Sequence, residues 1–207
     1  MPDLYTKAAS GAGEEEPLLQ SPDNKTPQDW SSANKYLMYG AGALTNLWVL
    51  PMNGDPKPIS YLKSKGNVMQ ARFSPDGHWV VYTSNESGTT EVYVRPFPAN
   101  ANGGGNWLVS SGGGYQPHWR RDGKEILYFT ADNHLMSVDV VTTPTFKPGI
   151  PKPLFVAPIR GGADTTTPVS RWDISPDGQR FLINAINEDR LSQPITVVLN
   201  WTAAIRK

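Results

Sequence analysis

Three histidines, His78, His118 and His134, are the side chains of this sequence best suited to metal or proton chemistry. None has a second His, Asp or Glu at a spacing typical of metal motifs, so each reads as a structural or surface residue. Three aspartates, Asp76, Asp122 and Asp177, recur in one setting and would form a ring of carboxylates if they converged. Each stands directly before a glycine, however, and a turn-capping role accounts for it. There is no Gly-x-Ser-x-Gly elbow, so the α/β-hydrolase form of Ser–His–Asp chemistry has no support. The glycine triplets at 103–105 and 112–114 lack the Lys-Ser/Thr and the following helix of a phosphate loop, and read as loop tips. Without cysteine, disulfides and thiolate zinc sites are excluded. The expectation is a chain with no catalytic residue, no metal and no cofactor.

The aspartates and glycines belong to a phrase that recurs with wear. It reads Arg72-Phe73-Ser74-Pro75-Asp76-Gly77 and Asp173-Ile174-Ser175-Pro176-Asp177-Gly178. It returns as His118-Trp119-Arg120-Arg121-Asp122-Gly123 and as Asp29-Trp30-Ser31-Ser32-Ala33-Asn34. Proline presets φ at the second turn position, aspartate bonds the backbone, and glycine accepts positive φ. Asp76, Gly77, Asp122, Gly123, Asp177 and Gly178 are therefore assigned to tight turns that join antiparallel neighbours.

Each turn is followed by short β-branched and aromatic runs. After Gln70–Phe73 come Trp79–Thr83, Glu91–Arg95 and Trp107–Ser110, a four-stranded meander. The preceding copy places strands near Gln28–Trp30, Tyr36–Tyr39, Leu47–Leu50 and Ile59–Leu62. The following copy places them near Gln116–Trp119, Ile126–Phe129, Leu135–Val140 and Pro153–Val156. The last offers Arg171–Ile174, Phe181–Ala185 and Ile195–Leu199. At the other end, Leu4–Lys7 and Leu18-Leu19 look like third and fourth strands without a first and second. Glu14-Glu15-Glu16 between them reads as a solvated loop, and Arg160–Pro168 as the longest inserted loop.

A unit of four strands repeating every ~40–50 residues is the signature of a β-propeller. The fold class is all-β: four-stranded antiparallel blades in a partial ring, about four blades of a larger propeller. The chain divides into a half blade (1–24), three blades (25–66, 67–113 and 114–168) and an incomplete last blade (169–207). The tryptophans at 30, 48, 79, 107, 119, 172 and 201 fall mostly in strands and are assigned to packing between blades.

The balance of 19 basic and 19 acidic residues gives no support to a nucleic-acid partner. Hydrophobic residues, at 38%, suffice for a core, but no run approaches the roughly 20 needed to span a bilayer. Residues 1–20 have no apolar stretch of signal-peptide type, which points to a cytoplasmic chain or to one cut from a longer protein.

The Ser-Pro-Asp-Gly turn, the apolar strand after it and Gly88–Val94 resemble repeats of TolB-type, WD-like β-propellers over nearly the whole chain. Glu91–Pro98, Gln116–Glu125 and Pro194–Trp201 are further similar to C-terminal propellers of bacterial eukaryotic-like serine/threonine kinases. That resemblance implies a periplasmic or extracytoplasmic sensor module. The kinase motifs themselves, a Gly-rich loop, His-Arg-Asp and Asp-Phe-Gly, are absent from the sequence.

Function then shifts from catalysis to surface. In a propeller the innermost strands line the channel, which makes Gln70, Arg72, Gln116, His118, Arg120, Arg171 and Asp173 the candidate contacts for a protein or peptide partner. Arg120-Arg121 replaces Ser-Pro and either is drift or sets a basic pair at the channel mouth. A partial ring also leaves room for a homodimer. Two alternatives stay open: a regulatory propeller of a prolyl-oligopeptidase-like hydrolase, and a metal-dependent site in the channel built on Asp29, His118 and Asp173.

Overall fold

A computed structural model describes residues 3–54, 56–101, 104–160 and 169–185. The expected strand at Ile195–Leu199 and nearly all of the Arg160–Pro168 insertion lie outside the described residues. Within them the chain is all-β and forms successive antiparallel sheets.

A two-stranded sheet comes first, β1 (Leu4–Thr6) with β2 (Glu16–Leu19). The first full blade follows in strict meander order: β3 (Lys25–Trp30), β4 (Tyr36–Ala41), β5 (Asn46–Pro51) and β6 (Ile59–Lys63). The second is β7 (Val68–Phe73), β8 (Trp79–Ser84), β9 (Glu91–Pro96) and β10 (Trp107–Leu108). In the third, β11 (Tyr115–Trp119), β12 (Glu125–Phe129) and β13 (His134–Val141) lead to β15 (Lys152–Val156), which pairs with β13. The last pair is β16 (Trp172–Ile174) with β17 (Phe181–Ile183).

Two details depart from the sequence expectation. A short strand, β14 (Lys147–Pro148), pairs with the far end of β13. It is held there by Phe146, which is buried beside Trp79 and Trp107. The fourth strand of the second blade is also shorter than its β-rich sequence suggests. Val109 still bonds Val92, but the Ser110 hydroxyl takes over at the strand end, accepting the Val92 N–H at 2.7 Å and donating to the Glu91 carboxylate.

The blades stack because strand side chains alternate between two faces. Along β8, Val80 and Tyr82 pack against Met38, Leu47 and Val49 of the preceding blade. Trp79 and Val81 pack the other way, against Trp119, Ile126 and Tyr128 of the following blade. The same alternation on β12 sends Leu127 and Phe129 toward Trp172 of the last pair. On β4, Leu37 and Tyr39 meet Leu4 of the first pair. That first pair is pinned by Lys25, a buried lysine whose Nζ donates to Asp3 Oδ1 at 2.6 Å and to the carbonyls of Ser21 and Asp23. Trp30 does not join this packing. It is 46% exposed and lies on the wall of the central cleft.

The repeated turns share one geometry. Ser74 Oγ accepts the Trp79 N–H at 2.9 Å and donates to Asp76 Oδ1 at 2.5 Å, and Asp76 accepts the His78 N–H. Ser175, Asp177, Gln179 and Arg180 reproduce those bonds. Asn34 occupies the glycine position of the worn copy with φ of 53°. A further version, unmarked by Pro or Gly, joins β12 to β13: Thr130 donates to Asp132, and Asn133 takes φ of 65°. Gly77 has φ of 73° and open space around the position of a Cβ. Gly77→Val is therefore expected to lower unfolding stability by about 1–2 kcal/mol through backbone strain alone. Urea denaturation checks this, and a variant as stable as the parent would remove the strain argument.

Candidate functional site

The inner strands β3, β7, β11 and β16 run side by side, and each carries one residue just before its turn anchor. Those four equivalent positions hold Asp29, Arg72, His118 and Asp173. Together they line a cleft of about 320 Å³, with Ser32 and Arg121 on its rim. The turns after β7 and β16 both read Ser-Pro-Asp-Gly, whereas the four channel positions carry two carboxylates, a guanidinium and an imidazole.

Bulges aim the side chains here. The β7 ladder skips from Met69 to Arg72, and the β11 ladder from Tyr115 to His118. At the skipped positions Gln70 and Gln116 adopt φ of 56° and 53°. Both side chains turn sideways into the next blade and are buried. Gln70 Oε1 accepts the Gln116 N–H at 2.8 Å, and Gln116 Oε1 accepts the Arg171 N–H at 2.7 Å. Gln28 does the same to the Ala71 N–H at 3.2 Å. Asp29 reinforces that joint by accepting the Phe73 N–H at 2.8 Å.

The seven candidate residues thus separate by position. Gln70 and Gln116 lie inside the joints between blades. Arg120 closes its own turn, donating through Nε and Nη2 to Asp122 at 3.0 and 2.8 Å and through Nη1 to Glu125. Arg72 and Asp173 line the central cleft and also a neighbouring one, which Arg171 shares. His118 is buried against the Trp172 ring, with centroids 4.2 Å apart. Of the basic pair Arg120-Arg121, it is Arg121 that reaches the cleft.

The electrostatics are mixed. Burial pushes the Asp29 carboxyl above its usual range, against the pull of the Phe73 N–H and of Arg72. The hydrogen bond to His118 holds Asp173 down to about 2. Burial drives His118 down to about 4, so its imidazole is neutral at neutral pH. Arg72 contributes a positive charge felt by all three neighbours. Such a surface offers a partner both a cation and an anion within one recess. Among the described residues, no three His, Asp or Glu side chains converge as a metal site.

The architecture is that of a β-propeller, and comparison with solved structures narrows the kind. A protein described as TolB from Agrobacterium tumefaciens superposes with a TM-score of 0.58 at 24% identity, over 80% of this chain and 55% of that one. TolB from Acinetobacter baumannii gives 0.55 at 16% identity, over 82% and 40%. A protein described as a 6-phosphogluconolactonase from Bacteroides uniformis gives 0.53 at 15% identity, over 88% and 57%. No family model matches the chain, and neither does any curated protein. The chain has a TolB-like propeller fold, and it spans about half the length of the solved structures it matches.

Proposed function

We infer that the chain is a recognition propeller whose central cleft holds a segment of a protein or peptide partner. The observation that carries this is the mixture of charged and polar groups gathered at one repeat position around the channel. Two aspartates, an arginine and a histidine (Asp29, Arg72, His118 and Asp173) occupy one repeat position, around a recess large enough for a few peptide residues. A rigid stack presenting varied groups at one end is suited to binding, since the scaffold need not move to hold a ligand. The two TolB structures support the same kind of role through their fold.

Placement outside the cytoplasm, and a relation to the sensor half of a kinase-type receptor, are finer parts of this reading. They rest on the sequence segments Glu91–Pro98, Gln116–Glu125 and Pro194–Trp201, the last of which lies outside the described residues. A kinase domain and a membrane helix encoded immediately upstream would support them; unrelated neighbouring reading frames would count against them. Among the described residues no helix is long and apolar enough to cross a membrane.

The test is selection from a displayed peptide library against the purified protein, followed by titration of the enriched peptide. Charge reversal at Arg72 (Arg72→Glu) or at Asp173 (Asp173→Arg) is expected to weaken binding by about tenfold or more, as loss of a buried charged contact does. Unchanged affinity in both variants would move the binding surface away from the cleft.

A further inference from the structure

At the joint between the third blade and the last pair, three polar side chains form a line that the turns and the glutamine bonds do not explain. Asp173 Oδ1 lies 3.5 Å from His118 Nδ1, and His118 Nε2 lies 2.8 Å from Ser170 Oγ. A carboxylate on one imidazole nitrogen and a hydroxyl on the other is the arrangement that activates a serine nucleophile. The charged carboxylate favours the tautomer with hydrogen on Nδ1, which leaves the Nε2 lone pair facing the hydroxyl. Ser170 Oγ also lies 2.9 Å from the Trp172 carbonyl, so its proton has a resting acceptor when it is turned from the ring. Burial keeps the imidazole neutral at neutral pH, so its Nε2 lone pair is free, and the Asp173 carboxylate favours the imidazolium against that burial.

Ser170 opens on the second cleft, of about 650 Å³, whose wall includes Arg72, Arg171, Asn184 and Leu182. Among the described residues, neither arginine has a carboxylate in ion-pair contact. We propose that Ser170 is an acyl-accepting nucleophile with His118 as its base and Asp173 as a positioning residue, and that the cleft takes esters whose acyl part carries a second, free carboxylate.

In the first step Ser170 Oγ bonds to the ester carbonyl carbon while its proton passes to His118 Nε2. The bond from that carbon to the alcohol oxygen breaks, and the alcohol leaves with the proton. Water then attacks the acyl-serine, giving up a proton through the same nitrogen, and the acid departs as the hydroxyl is restored. The arginines fix the free carboxylate and add nothing covalent. This activity goes beyond holding a partner and does not depend on it.

The experiment uses the purified chain and a fluorophosphonate probe, read by intact mass and peptide mapping. One adduct on Ser170 is expected. It should disappear in Ser170→Ala, whose fold is checked by circular dichroism, and in His118→Gln. Asp173→Asn should label about 100-fold more slowly. The acid limb of its labelling rate should also move to lower pH, because the carboxylate that favours the imidazolium is gone. The Ser170-dependent rate, the parent's less that of Ser170→Ala, should be about tenfold higher on mono-para-nitrophenyl succinate than on para-nitrophenyl acetate, the value of one hydrogen bond to a charged group; the subtraction removes attack by the succinate's own carboxylate. A folded parent that takes no adduct, or an adduct that persists in Ser170→Ala, overturns the nucleophile. Equal Ser170-dependent rates on the two esters overturn the carboxylate preference.

Discussion

Trp79→Ala is expected to cost about 3–5 kcal/mol of unfolding stability, the range for truncating a large buried aromatic. Trp79 is 1% exposed and sits between the second and third blades. Its ring meets Trp107 at 5.5 Å and Phe146 at 5.3 Å. Those partners come from β10 and from the loop before β14, so the indole ties together elements far apart in the chain. In a stacked repeat each blade contacts only its neighbours, and a cavity at one joint weakens the coupling across it. Urea denaturation followed by tryptophan fluorescence should show an earlier transition, and a broader one if the two sides separate. Trp30→Ala serves as the contrast, because Trp30 is 46% exposed and should cost far less. If the two variants lose equal stability, the assignment of the core to this joint fails.

The second large effect is a dependence on pH carried by His118. Burial lowers its folded-state value to about 4 from 6.5. The unfolded chain therefore binds the proton more readily than the folded one. Stability from this group is complete above pH 6.5 and is lost as pH falls toward 4, by about 3 kcal/mol in total. The charged groups facing the ring are Asp173 on β16, which favours the imidazolium, and Arg72 on β7, which opposes it. Asp173 titrates lower still. Its value of about 2 lies below the ordinary 3.8, so its own contribution holds through the histidine window and is lost only in stronger acid. The midpoint of thermal unfolding should fall steadily between pH 6.5 and 4.5 in the parent protein. His118→Gln should flatten that slope. A parent Tm that does not change over this interval would mean that the imidazole is solvated.

Local signals explain what the sequence made legible. The Ser-Pro-Asp-Gly turns act within six residues, so their residue types announce them. Strands such as Trp79–Ser84 and Glu91–Pro96 carry β-branched and aromatic residues whose preference is written locally. The joints are a different matter. Gln116 bonds Arg171 across 55 residues and Gln70 bonds Gln116 across 46. Nothing near a glutamine in the chain says that a bulge will turn it sideways. The same holds for Ser170, which lies 52 residues from the histidine it touches. β14 is not legible in the sequence because two residues are too few to show a period, and the burial of Phe146 beside it comes only from tertiary packing. The turn at Thr130–His134 carries no Pro or Gly to mark it, since Asn133 takes the place of the usual glycine.

Gln28, Gln70 and Gln116 each reach forward, and in each case the donor is a backbone N–H in the next inner strand or, at Arg171, directly before it. What a blade offers ahead is thus the same kind of bond that it receives from behind. A duplicated blade would arrive with both halves of its fastening already in place, since the acceptor is a side chain it brings and the donor is main chain that any sequence supplies. Propellers joined in this manner can lengthen or shorten by whole blades without inventing a new junction, and their channel residues are free to diverge copy by copy.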